Sequence, residues 1–274
     1  MRALAKGLAV IEAFDARSPS MTLSEVAKKT GLSRGTARRL LLTLVELGYA
    51  GFDGKHFSLQ PRALNLGFAY LHSRSLWQLG QPYMVQLVER VHESCSIAVL
   101  DGVEIVYVAR VPTAARIMSI NLGIGTRLPA FATSMGRVLL AGLGAEELHR
   151  LLEQTSPLPR YTPKTITDPV ALLREIELVR RQGWALVDQE LETGLRSIAA
   201  PIVDGSGRAA AALNIGTHAS RWPIQRLMQE VLPPLKQTAA SISGLLGPER
   251  QRTASAAPSL SRSGEGGRNG PPRG

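Results

Sequence analysis

The sequence predicts an α+β protein: an N-terminal winged helix-turn-helix, a linker helix, and a larger domain in which strands alternate with helices. Three observations carry this. Within the first 60 residues, two short helical stretches, a Gly-containing turn, a longer basic helix and a Gly-tipped hairpin follow one another. Further on, strand-like runs bounded by turn dipeptides alternate with runs of helical periodicity. Charge is also unevenly placed. Residues 1–75 carry 11 basic and 5 acidic side chains, residues 76–247 carry 16 and 15, and residues 248–274 carry 5 and 2. The net +10 of the 274-residue chain is thus a basic front and tail around a near-neutral bulk. That pattern suits a polyanion-binding module attached to something else.

Each element has a local reason. Leu4, Ala5, Leu8, Ala9 and Ile11 recur at helical spacing over Ala3–Phe14. Thr22-Leu-Ser-Glu25 has the form of a capping box, flanked by Met21 and Val26 where a hydrophobic staple falls. Gly31 supplies a turn, Ser33 caps a third helix, and Gly48 ends it after Leu47. Asp53-Gly54 marks a hairpin between two short strands, and a helix over about 62–74 leads out of the unit. In the bulk, Asp101-Gly102 joins strands Ser96–Leu100 and Glu104–Arg110, and Arg116–Leu122 reads as a strand. Ser134–Leu143 and Ala145–Gln154 read as helices, and Asp168-Pro169 opens another that ends at Gly183. Trp184–Asp188, Ile198–Val203 and Ala209–Gly216 read as strands. The closing helix, Pro223–Leu246, should kink or restart at Pro233-Pro234. The expected division is 1–60 for the winged helix-turn-helix, 61–75 for the linker helix, 76–247 for the second domain and 248–274 for a disordered basic tail.

Composition excludes several classes. A single cysteine, Cys95, permits neither a disulfide framework nor a multi-Cys zinc cluster, and no His-based metal spacing is present. The longest uncharged run, Ser75–Val88, is 14 residues and falls short of the roughly 18 apolar residues of a membrane span. Glu12 and Asp15 interrupt the first apolar stretch, so no signal peptide is expected. The expectation is a cytoplasmic protein with neither metal nor cofactor.

In the third helix, Ala37, Leu40, Leu41 and Leu44 follow core spacing, leaving Arg34, Gly35, Arg38 and Arg39 outside near its start. Recognition helices present base-reading side chains there, and Arg can grip guanine O6 and N7 together. Gly35 and Thr36 are small enough for a helix seated deep in the major groove. Thr22, Lys28 and Lys29, with Ser33 and the hairpin-tip Lys55, suit phosphate or minor-groove contacts. The expected partner is double-stranded operator DNA.

The neutral bulk offers one enzyme-like string. Ala132-Thr-Ser134-Met-Gly136 lies one residue from the G-x-S-x-G nucleophile elbow, but the first Gly is missing. A serine hydrolase carrying a DNA-binding head is therefore the alternative, with a nonspecific architectural DNA binder as the second. The favoured reading is no enzyme: Ser134 opens a helix whose hydroxyl, with the N–H groups of Met135 and Gly136, faces a pocket suited to a carboxylate.

Residues 3–247 resemble the IclR family of bacterial transcription factors. The matching stretches are Gly7-Leu-Ala-Val-Ile-Glu-Ala-Phe14, the run from Gly31 to Leu44, Gly125-Thr-Arg-Leu-Pro-Ala-Phe-Ala-Thr-Ser-Met-Gly-Arg137, Tyr161-Thr-Pro-Lys-Thr-Ile-Thr-Asp168 and Gly194-Leu-Arg-Ser-Ile-Ala-Ala-Pro201. Glu104–Pro112 and Ala132–Arg137 resemble the subgroup that controls aromatic-acid (β-ketoadipate pathway) catabolism. The resemblance implies a GAF-like effector-binding domain with an antiparallel sheet, a small organic acid as effector, and a homodimer or homotetramer. It carries Ser134, Met135, Asp188, Leu195, Ser197, Asn214 and Gly216 over to the effector site. Arg137 is either a partner for the ligand carboxylate or a surface or interface residue, and Arg110 and Arg116 are weaker candidates of the first kind.

Overall fold

A computed structural model describes residues 2–73, 76–113 and 122–246. The chain separates into two compact units, Met1–Ser75 and Leu76–Gly274.

The first unit comprises α1 (Arg2–Glu12), β1 (Ser20–Thr22), α2 (Leu23–Thr30), α3 (Arg34–Glu46), β2 (Ala50–Phe52), β3 (His56–Leu59) and α4 (Leu64–Ser73). The Glu25 N–H donates to the Thr22 hydroxyl, and the Thr22 N–H donates to the Glu25 carboxylate at 2.7 Å, so the capping box closes in both directions. Gly31 ends α2 in the left-handed region at φ 67°, where a Cβ is unfavourable. Ser33 caps α3. One apolar cluster, including Val10, Met21, Val26, Leu41, Leu44 and Phe57, holds these elements together. The hairpin forms as expected but belongs to a three-stranded sheet of order β1-β3-β2. Strand β1 escapes sequence reading because three residues show no period, and Thr22 both ends the strand and caps α2.

The second unit begins with α5 (Leu76–Val91), β4 (Ser94–Asp101), β5 (Glu104–Val111) and β6 (Arg127–Pro129). A short 3-10 turn, 130–132, leads into α6 (Ser134–Ala141), followed by α7 (Ala145–Gln154) and α8 (Pro169–Gln182). Strands β7 (Ala185–Asp188), β8 (Leu195–Val203) and β9 (Ala209–His218) then precede α9 (Ile224–Glu230) and α10 (Leu232–Gly244). The six strands form one antiparallel sheet of order β6-β5-β4-β9-β8-β7. Helix α5 is longer than anything sequence reading placed there, because Gly80 and Pro82 mask its periodicity. The closing helix restarts at Leu232, immediately before the two prolines. The strand expected at Arg116–Leu122, Arg116 itself and the tail from 248 lie outside the described residues, apart from Leu122, which is in no strand.

The sheet is covered on both faces. Cys95, Ile97, Ile198, Leu213 and Ile215 face α5 and α10, and burial pushes the Cys95 thiol pKa up. Ala98, Tyr107, Ala199 and Ala212 face the cluster built around α6 and α8. All eight residues of α6 are buried. This requires Gly136: a Cβ there would lie 2.0 Å from the Ala130 carbonyl oxygen. Gly136→Ala should therefore destabilise the unit by on the order of 3 kcal/mol in denaturant unfolding, because rigid backbone cannot yield. Gly144→Ala, at the N-cap of α7 with open space around it, should cost no more than about 1 kcal/mol; equal effects would remove the steric argument.

Candidate functional site

In the first unit, Ala37, Leu41 and Leu44 are buried and Leu40 partly so, which turns Arg34, Gly35, Arg38 and Arg39 to solvent along the first turns of α3. Lys28 and the hairpin-tip Lys55 are exposed too. Asp53 orders that tip, accepting from the N–H groups of Lys55 and His56 at 2.9 and 2.7 Å. Three candidates are already engaged. The Lys29 ammonium lies 2.6 Å from the Asp15 carboxylate, which it holds below the ordinary carboxylate pKa. The Thr22 hydroxyl is taken by Glu25, and Ser33 accepts from the Thr36 N–H at the start of α3. Among the described residues, Arg34, Arg38, Arg39, Lys28 and Lys55 are thus the candidate cations without an ion-pair partner, around a helix start with no acidic residue in its first turn. A basic helix end of this kind suits a groove lined with phosphates.

In the second unit, strand register creates a polar strip on an otherwise apolar face. Ser94 pairs with Gly216 and Ser96 with Asn214, while Ser197 pairs with Gly216 from the other side. Successive residues alternate faces, so Ser94, Ser96, Ser197, Asn214 and Gly216 share the α6 side with Ala98 and Ala212. Leu195 lies on that side too. Arg110, opposite Ser96, donates to its hydroxyl at 3.1 Å. The serines and Asn214 are buried. Ser94 and Ser96 are candidates that spacing alone did not reveal, because their strand reads as one continuous buried run.

Helix α6 crosses β4, β9 and β8. Its N-cap is Thr133, not Ser134, and the Gly136 N–H expected to face a pocket donates instead to the Thr133 hydroxyl at 3.1 Å. The Arg137 N–H goes to the Thr133 carbonyl, which leaves the N–H groups of Ser134 and Met135 as the open donors of the helix. Ser134 is 1% exposed and its hydroxyl has no hydrogen-bond partner among the described residues. The Thr113 hydroxyl, beside Ser94, is likewise buried without a partner among the described residues. Burying a hydroxyl without a partner costs roughly 1–3 kcal/mol, so each of these groups is a candidate for a hydrogen bond from a bound group.

Arg137 and Asp188 have other partners. Arg137 is 1% exposed, pairs with Glu190 at 2.6 Å and donates through Nε to the Phe131 carbonyl. It is neither a surface residue nor a free cation for a ligand. Glu190 also accepts from the Ile166 N–H, and its carbonyl accepts from the Thr165 hydroxyl at 2.6 Å, so the 160–167 segment, the loop after β7 and α6 are joined at one carboxylate. No motif announces Glu190; only folding brings it to Arg137, 53 residues away in sequence. Asp188 registers with Arg196, one residue out of phase with Ser197, and is not brought to the strip. Partial burial raises its pKa, but bonds from Lys164, Arg196 and Gln189 outweigh that and hold it below the ordinary value.

Comparison with known proteins agrees with this architecture. Residues 3–54 match the IclR helix-turn-helix domain and residues 68–244 the C-terminal domain of bacterial transcriptional regulator IclR. The chain is 46% identical over 235 residues to the Pca regulon regulatory protein of Pseudomonas putida, covering 86% of this chain and 80% of that one. It is 39% identical over 247 residues to the p-hydroxybenzoate hydroxylase transcriptional activator of Acinetobacter baylyi, covering 89% and 91%. It also resembles the crystal structure of an IclR homologue from Microbacterium hydrocarbonoxydans complexed with 4-hydroxybenzoate, with a TM-score of 0.76 and 29% identity over 89% of this chain and 98% of the other. A basic helix-turn-helix joined to a sheet domain with an unsatisfied polar interior, over this extent of similarity, makes the chain a member of the IclR family of bacterial transcriptional regulators.

Proposed function

We propose that the chain regulates an operon of aromatic-acid catabolism, reading operator DNA with α3 and binding a small aromatic acid between α6 and the polar strip. The observation that carries this is the unpartnered Ser134 hydroxyl at the start of a buried helix. A ligand carboxylate would accept from that hydroxyl and from the N–H groups of Ser134 and Met135, where the helix dipole favours negative charge. Ser96, Ser197 and Asn214 would meet a polar substituent of the ligand. The names of the Pseudomonas and Acinetobacter relatives, and the acid held by the Microbacterium homologue, support the same ligand class. The functional parts would be 1–60 for DNA, 61–75 as linker helix and 76–247 for the effector.

A cytoplasmic homodimer or homotetramer would place two α3 helices in major grooves about 34 Å apart or a multiple of that. By linkage, effector and DNA would change each other's affinity by the same factor. The hydrolase alternative is not favoured. Ser134 has a helical backbone rather than a strained elbow, and no histidine meets its hydroxyl among the described residues.

Two measurements test this reading. In gel-shift titrations, Arg38→Ala should lower the preference for operator over random DNA by about 1–3 kcal/mol, whereas Lys55→Ala should weaken both alike and reduce the salt slope by about one. Equal wild-type affinity for random DNA would sink operator reading in favour of an architectural role. In thermal-shift assays, 4-hydroxybenzoate and its ring-cleavage products should stabilise the protein, by about 2.7 kcal/mol at a hundredfold excess over Kd. Ser134→Ala should abolish most of that shift. If no aromatic acid acts at millimolar concentration, the ligand class is wrong; ester turnover lost in Ser134→Ala would revive the enzyme.

A further inference from the structure

A second cleft, of about 270 Å³, opens between the end of α5, the turn after β9 and α9. Arg90, Val91, His92, Glu93, Arg221, Trp222, Arg226 and Glu230 line it, and it shares none of these with the polar strip. At its base is Glu93, 0% exposed. The backbone turns sharply to put it there: His92 follows α5 in the left-handed region at φ 57°, uncommon for a residue with a Cβ. One Glu93 oxygen, Oε1, accepts from the Trp222 indole N–H at 2.7 Å and from the Arg221 guanidinium at 2.8 Å. The other, Oε2, is buried and has no donor among the described residues.

The remaining charges are largely matched. Arg226 pairs with Glu230 at 2.9 Å and stacks over Trp222, 4.5 Å from the ring centroid. Arg90 is exposed and has no carboxylate partner among the described residues. The cleft thus presents one buried acceptor lacking a donor and one cation lacking an anion, beside an indole wall. We propose that it binds a small hydroxycarboxylate, whose hydroxyl donates to Glu93 Oε2 and whose carboxylate meets Arg90. A neutral hydroxyl suits Glu93 better than an ammonium does, because Arg221 already matches the carboxylate charge and three arginines would repel another cation. The volume, just below that of ordinary ligand pockets, limits the ligand to a small one.

The indole N–H resonance of Trp222, assigned by its loss in Trp222→Phe, reports on this oxygen pair directly. Titration with lactate and with 3-hydroxybutyrate should move it saturably. Propionate and butyrate, which lack only the hydroxyl, should bind about tenfold more weakly or worse, as should the hydroxy acids to Arg90→Ala, an exposed site whose change leaves folding intact. Ser134→Ala should leave the titration unchanged, which separates this cleft from the proposed effector site. The proposal is overturned if neither hydroxy acid shifts the resonance at millimolar concentration, as when a water alone satisfies Oε2. It is also overturned if the deoxy acids bind equally, if Arg90→Ala has no effect, or if Ser134→Ala abolishes the shift.

Discussion

The second unit depends on burying an entire helix that carries a charge. Helix α6 has no solvent face, so every group it brings inside must be accommodated there. Gly136 permits the backbone contact with the Ala130 carbonyl, and Glu190 meets the Arg137 guanidinium. Such a buried pair adds little net stability over an apolar one, but losing one partner costs about 3–5 kcal/mol. The pair therefore constrains geometry more than it strengthens the fold. Through Glu190 it ties α6 to the 160–167 segment and to the loop after β7.

That fixed helix sets the chemistry beside it. Thr133 takes the third N–H of the first turn, Arg137 leaves toward Glu190, and the Ser134 hydroxyl with two backbone donors is left over on a helix that packs against the strands carrying the polar strip. The polar strip exists because antiparallel register lines up every second residue of β4, β9 and β8. The same sheet face is alanine-rich farther along, at Ala98, Ala212 and Ala199, where α6 approaches closely. The first unit works oppositely. Its small apolar core and caps hold α2 and α3 so that arginines can remain outside, fully solvated and free for phosphates and base edges.

Much of this was legible in the residues. The capping box at Thr22 and Glu25, the Gly31 turn, the Ser33 cap and the Asp53-Gly54 hairpin are local chemistry, decided within four or five residues, and each forms where the sequence places it. The Asp168-Pro169 helix start and the Gly183 stop are of the same kind. Less legible were β1 and β6, three residues each, and α5, whose Gly80 and Pro82 resemble breakers until α10 packs against it. Of the residues that the family pattern singles out, Ser197, Asn214 and Gly216 share the sheet face that α6 packs on and Ser134 opens that helix, whereas Asp188 and Arg137 are bound internally.

The sequence alone determined a basic DNA-reading head, a near-neutral second domain and their order along the chain, because charge placement, caps and turns act over short distances. Only the tertiary structure decided which polar groups are satisfied. Glu190 reaches Arg137 across 53 residues and Trp222 reaches Glu93 across 129. Whether a buried serine or carboxylate oxygen keeps an open valence depends on what long-range packing brings within 3 Å of it, and no local pattern encodes that. The +10 of the chain could be read from composition; where a buried hydroxyl or carboxylate oxygen is left without a partner among the described residues could not.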